Sequence, residues 1–222
     1  MKTSTSVLSL TKIRNKALIL LVTIATFFAL QSFTVHHPEP IKASQYETLN
    51  KNMRKLWSDH MQWTFATVHA FFHNQNSLEA KLNRLLQNQK YIGTAIVPFY
   101  GQAAGDKLTA LLTEHIQEAV PVLTAAKNGD QAGLEKALSD WYKNAQDIAD
   151  FLAGANPNWN QKDLRHMMKM HIDQTTAYSV DLLKGDYDQA VKKYDEANDH
   201  MQLMADDLTF GIAKQFPKKI KK

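Results

Sequence analysis

Three histidines recur at even spacing in one kind of setting. His60 lies in LWSDHMQW, His115 in LLTEHIQEAVPVL and His171 in MMKMHIDQT, about 55 residues apart. Each sits inside a stretch whose apolar residues return every three or four positions, the period of an amphipathic helix. Core positions of helices ordinarily hold Leu, Val or Ala, so a repeated imidazole needs a chemical reason. One is structural: a buried imidazole hydrogen-bonded to a facing amide or carbonyl, because buried polar groups take partners. The other is coordination, since imidazoles converging from several helices suit zinc, copper, nickel or iron. His60, His115, His171 and a fourth, His200, are the candidate metal ligands.

Methionine bears on the choice of metal. Met61, Met167, Met168, Met170, Met201 and Met204 all lie within four residues of a histidine. Thioether and imidazole without thiolate favour copper, and Met170 and Met201 are the thioether candidates. Methionine also fills irregular gaps in apolar cores. The acidic neighbours Asp59, Glu114, Asp173 and Asp199 stand one or two positions from their histidines, on different helix faces. A di-iron bundle carries paired Glu-x-x-His motifs. The nearest string here, DLRH at 163–166, starts with Asp and is alone.

The elements that would position these residues are helices. Turn signals at HNQNS (73–77), PFYGQAAGD (98–106), KNGD (127–130), GANPNWN (154–160) and KGD (184–186) predict six helices. They run near 45–73, 77–99, 103–127, 131–154, 161–184 and 186–216. Ser77 is the expected N-cap of the second. Asp130 and Asp186 each follow a glycine suited to a left-handed helix end. Aligned on His60, His115 and His171, the body reads as three copies of one hairpin, folded as an up-down antiparallel all-α bundle. Folding each hairpin about its turn sets the histidine level with the residue 29 positions on. That residue is Asn144 for His115, His200 for His171, and Gln89 or Asn88 for His60.

The chain has 222 residues, 44% hydrophobic and 22% charged, and no cysteine. A disulfide scaffold, a thiolate zinc or iron–sulfur site and a cysteine nucleophile are therefore excluded. The pI near 9.1 comes from the ends. Lys2, Lys12, Arg14, Lys16 and Lys42 outweigh Glu39 in residues 1–43, and Lys218, Lys219, Lys221 and Lys222 form a basic tail at 218–222. The intervening domain, 44–217, is slightly acidic, so nucleic acid is not an expected partner. No G-x-S-x-G, H-E-x-x-H or phosphate-loop motif occurs, the one S-x-x-K string (Ser9 to Lys12) falls in the basic stretch before the apolar run, and the eight glycines are scattered. No reaction is indicated.

The first 43 residues read as an address. A basic stretch precedes the apolar run ALILLVTIATFFAL (17–30) and a polar segment, the layout of a secretory signal. Extended to Val35 the run reaches 19 residues, long enough for a retained N-terminal membrane anchor. Either reading places the domain outside the cytoplasmic membrane, with an envelope or surface partner as the expected company. A buried core helix of a cytosolic protein is the third reading.

LWSDHMQWT, NQKYIGTAIVPFYG, LLTEHI, HIDQTTAYSVDLL and DHMQLMADDL…GIAKQFP occur together over residues 56–217. In these strings the chain resembles a family of exported bacterial all-helical proteins. His60, His115, His171, His200 and Asn88 fit that family's pattern, whereas Phe65, Lys90, Tyr91 and Tyr178 or Ser179 stand where it varies. The resemblance implies a fold and a compartment, and no chemistry. The expectation is an extracytoplasmic helical module for binding or structure, with copper or zinc binding through the interior histidines as the alternative.

Overall fold

A computed structural model describes residues 44–220. Six long helices account for the domain: α1 Gln45–His73, α2 Leu78–Tyr100, α3 Gln102–Asn128, α4 Gln131–Ala155, α5 Gln161–Lys184 and α6 Tyr187–Gln215. There is no strand among the described residues. Local chemistry sets most of the boundaries. Ser44 and Glu47 form a reciprocal capping box at the start of α1. Asp130, Asn160 and Asp186 each accept a backbone N–H in the first turn of α4, α5 and α6. Gly129 and Gly185 take the left-handed conformation, at φ 68° and 76°, that ends α3 and α5. Ser77 departs from expectation. It heads α2, but a 3₁₀ turn over Gln75–Ser77 draws its hydroxyl back to donate to the Asn74 carbonyl (3.1 Å), so its side chain caps nothing.

The connections are too short for anything but antiparallel packing of successive helices. Each helix packs on the next, and α6 returns to α1, closing a ring. Asn50 and Arg54 of α1 fasten that closure by donating to Asp206 of α6 at 2.7 and 2.6 Å. In addition α1, α3 and α5 touch one another, so they form an inner trio with α2, α4 and α6 wedged between them from outside. The buried apolar residues include Trp57, Ile92, Leu112, Ile148, Ile172 and Met204. Each such side chain contributes about 1.5–3 kcal/mol by leaving water.

One residue, Gly101, separates α2 from α3, and the two helices run close together beyond it. A Cβ on Gly93 would lie 2.0 Å from Thr109 Oγ1 and 2.5 Å from the Gly105 carbonyl oxygen. Elsewhere, between the α4–α5 connection and α6, Trp159 Nε1 donates to the Asp207 carbonyl (3.2 Å), and a Cβ on Gly211 would strike its ring. The residues read as an export signal or anchor, 1–43, lie outside the described part. No described helix is long and apolar enough to cross a membrane. In the basic tail, Lys219 folds back to donate to the Pro98 carbonyl at 2.6 Å.

Two glycines separate packing from propensity. Gly93→Ala should lower the unfolding free energy by about 1–3 kcal/mol, because α2 and α3 must move apart. Gly154 is helical, and a Cβ added there would meet nothing within 4 Å. Gly154→Ala should therefore raise stability by about 0.5–1 kcal/mol. Urea unfolding of both variants reads the difference, and equal effects would refute the close α2–α3 crossing.

Candidate functional site

The inner trio brings its three histidines together. His60 on α1, His115 on α3 and His171 on α5 are each no more than 2% exposed. The ring of His171 lies 5.5 Å from that of His60 and 5.7 Å from that of His115, centre to centre. Trp57 flanks His60 and Trp141 flanks His115, at 5.7 and 5.3 Å. The Trp141 indole N–H also donates to the His115 carbonyl (2.9 Å), fixing the backbone that carries the ring.

The outer helices supply the polar partners. Asn144 of α4 donates through Nδ2 to the Leu111 carbonyl (3.2 Å), so its Oδ1 faces His115 Nδ1 at 2.9 Å as an acceptor. His115 therefore carries its proton on Nδ1 and keeps a bare lone pair on Nε2. Around His60 the same two tasks are divided. Asn88 donates to the Leu56 carbonyl (3.0 Å), and Gln89, committed through Nε2 to the Leu85 carbonyl (2.8 Å), offers its second N–H to His60 Nδ1 at 3.3 Å. His60 Nδ1 is thus the acceptor and its proton sits on Nε2, the opposite tautomer. In the α5–α6 pair, His200 Nε2 donates to the Met167 carbonyl at 3.0 Å. Leu56, Leu111 and Met167 each precede an inner histidine by four residues, and each receives one side-chain donor from the following helix.

This accounting leaves orphans. His115 Nε2, His171 Nδ1, Thr175 Oγ1 and Gln89 Oε1 are buried without a hydrogen-bond partner. A cavity of about 40 Å³ adjoins the rings, lined by His60, His115, His171, Thr64, Leu85 and Thr175 among others. A neighbouring cavity of about 60 Å³ shares Thr64, Val68, Leu123, Trp141 and Thr175 with it and is walled almost entirely by apolar groups.

Burial keeps the rings uncharged. Desolvation pushes His60 down to about 3, reinforced by His115 and partly opposed by the Gln89 hydrogen bond. It pushes His115 down to about 4 against the Asn144 hydrogen bond. His171 is held well below the usual imidazole range by burial first, then by His60, His115 and His200. Neutral imidazole is the form that ligates metals. As the side chains stand, however, no group of three or more His, Asp or Glu is disposed to hold an ion among the described residues.

The other residues singled out in the sequence have separate places. His200 stands on the outer ring, facing the Met167 carbonyl. Met201 is fully buried within the apolar core, and Met170 is half-buried. Gln89, not Asn88, reaches the His60 ring, at the same 29-residue offset that separates His115 from Asn144; Asn88 instead takes the Leu56 carbonyl. Outside the sequence candidates stand His69 and His73 in HAFFH, although their i, i+4 spacing places them on one helix face. No protein-family model, curated protein or solved structure matches the chain.

The buried rings make stability acid-sensitive. Below pH 6.5 histidines protonate in the unfolded chain but stay neutral in the fold. The unfolded state then binds more protons, and stability falls as pH falls. The loss should reach about 2 kcal/mol for each inner histidine by pH 5. His171→Leu should make the slope shallower by one histidine's share. Urea titrations between pH 7 and 5 measure it, and a flat wild-type profile would mean that the folded rings are already charged.

Proposed function

We propose that the chain is an exported, non-enzymatic binding module built from three copies of one helical hairpin, and that its three-histidine centre takes up one copper or zinc ion. The carrying observation is the convergence of three uncharged imidazoles beside a cavity, with His115 Nε2 and His171 Nδ1 lacking partners. An unsatisfied buried polar group costs about 1–3 kcal/mol, and a bound ion would offset that cost at two ring nitrogens.

Spacing supports the reading. Imidazoles sharing an ion at about 2.0–2.1 Å have ring centres roughly 5.2 Å apart in tetrahedral and roughly 5.5 Å apart in trigonal arrangement. The observed separations are 5.5 and 5.7 Å. What must change on loading is orientation and proton placement. His115 already presents a lone pair at Nε2. His60 must shift its proton to Nδ1, and Gln89, whose Oε1 is unpaired, can accept that proton's hydrogen bond by turning its amide over. The apolar run at 17–30 and the basic residues before it support export, where copper and zinc are met without competing cytosolic thiols. The repeated bond to the carbonyl four residues before each inner histidine supports the triplication.

Metal-free protein equilibrated with CuCl₂ or ZnCl₂ should gain an ion that His115→Ala and His171→Ala each remove, lowering the bound metal by one per chain. Elemental analysis after gel filtration measures this. Should both variants keep the wild-type metal content and lose only thermal stability, the histidines are framework and the metal reading fails.

A further inference from the structure

A second group of imidazoles lies at the C-terminal end of α1, on the surface rather than in the core. His69 and His73 sit one turn apart on the same face, with ring centres 5.4 Å apart. Tyr187, the first residue of α6, packs against both rings at 5.9 and 5.7 Å. His73 Nε2 approaches the Leu182 carbonyl to 2.6 Å, and a carbonyl only accepts, so His73 carries its proton on Nε2. Its Nδ1 is consequently a lone pair. An imidazole whose far N–H is held by a backbone carbonyl is fixed in tautomer and orientation, as metal-bound histidines usually are. No hydrogen bond or ion pair engages the ring nitrogens of His69 among the described residues.

We infer that His69 and His73 form a surface chelate for a divalent late transition metal, Cu²⁺ before Zn²⁺, at the C-terminal end of α1. The pairing of two histidines at i and i+4 is the geometry by which helices grip such ions. The 5.4 Å ring separation matches the roughly 5.2 Å that two imidazoles on one tetrahedral ion require. The last turn of a helix is also its negative pole, which favours a bound cation. Cu²⁺ outranks Zn²⁺ for nitrogen ligands generally. Water completes the shell on the open side, since His73 is exposed. Lys81 opposes the ion by charge, and the same charge, after burial and His73, helps keep His69 deprotonated. A bound ion would fix the end of α1 to the α5–α6 turn, because His73 is already joined to Leu182 and both rings pack on Tyr187. The inference does not depend on the buried centre.

The test uses the untagged full chain titrated with CuCl₂ and with ZnCl₂, followed by calorimetry and by the imidazole proton resonances. In the His115→Ala chain, which lacks the buried centre, sub-stoichiometric Cu²⁺ should broaden His69 and His73 selectively, before any effect on His166. His69→Gln and His73→Gln, which preserve size and, at position 73, a donor for Leu182, should each weaken this site roughly tenfold or more. His115→Ala should leave the surface site intact, so failure of the buried centre and failure of this one are read separately. Lys81→Met should tighten it. If His69→Gln and His73→Gln titrate like the wild type, or Cu²⁺ leaves both resonances sharp, the inference is wrong.

Discussion

The fold is organised around a constraint: three uncharged rings with polar edges lie in the middle of a bundle, and the surrounding helices meet some of those edges while His115 Nε2 and His171 Nδ1 stay without partners. Apolar residues alone would let six amphipathic helices pack in many rotations and registers. An imidazole at mid-height of each inner helix removes that freedom. The outer helix must bring an amide or a second imidazole to the same height, and must also reach the carbonyl one turn earlier. Asn144 meets both demands with one side chain, through Oδ1 to His115 and Nδ2 to Leu111. A slip of one residue along α4 would break both bonds at once and bury an unpaired ring nitrogen and amide. The hydrophobic core thus supplies the greater part of the stability, and the histidine layer supplies the alignment.

Much of this was legible because both signals are short-range or simply additive. Helix extents followed from period and capping: α1 and α5 occupy 45–73 and 161–184, as the pattern of turns indicates. The facing of His115 and Asn144 followed from folding a hairpin about Gly129. What the sequence left open depends on details that counting does not register. Asn88 and Gln89 are neighbours that divide two tasks, the Leu56 carbonyl and the His60 ring, which Asn144 performs alone, and counting residues does not show that division. The close approach of α2 and α3 rests on two glycines, 93 and 105, that look like ordinary interruptions until their helices cross. The ring closure through Asp206 joins residues more than 150 positions apart, beyond any local pattern. The pair at His69 and His73 was visible as a spacing, but its tautomer is set by a carbonyl on another helix.

Absence of charge in the centre has its own consequence. Three imidazoles packed ring to ring would repel strongly if protonated, and burial removes the water that would screen them. Neutrality lets His60 and His115 stand close to His171, and it also requires each ring to choose a tautomer. The choice is forced from outside the trio: Gln89 leaves His60 an acceptor at Nδ1, and Asn144 leaves His115 a donor at Nδ1. Two rings with opposite proton placement therefore face one cavity, one offering N–H and the other a lone pair.

His171 differs from the other two rings in how it is held. It contacts both other rings, yet no amide holds it, because the corresponding position on α6 is an imidazole already spent on the Met167 carbonyl. Its Nδ1 has no partner, and Thr175, one turn further along α5, likewise carries an unpaired hydroxyl facing the same cavity. A ring anchored at one edge by a strong acceptor resists rotation; a ring without that anchor turns at the expense of packing alone. The asymmetry among the three hairpins thus has a physical sense. His60 and His115 each share a ring hydrogen bond with an outer-helix amide, and His171 shares none.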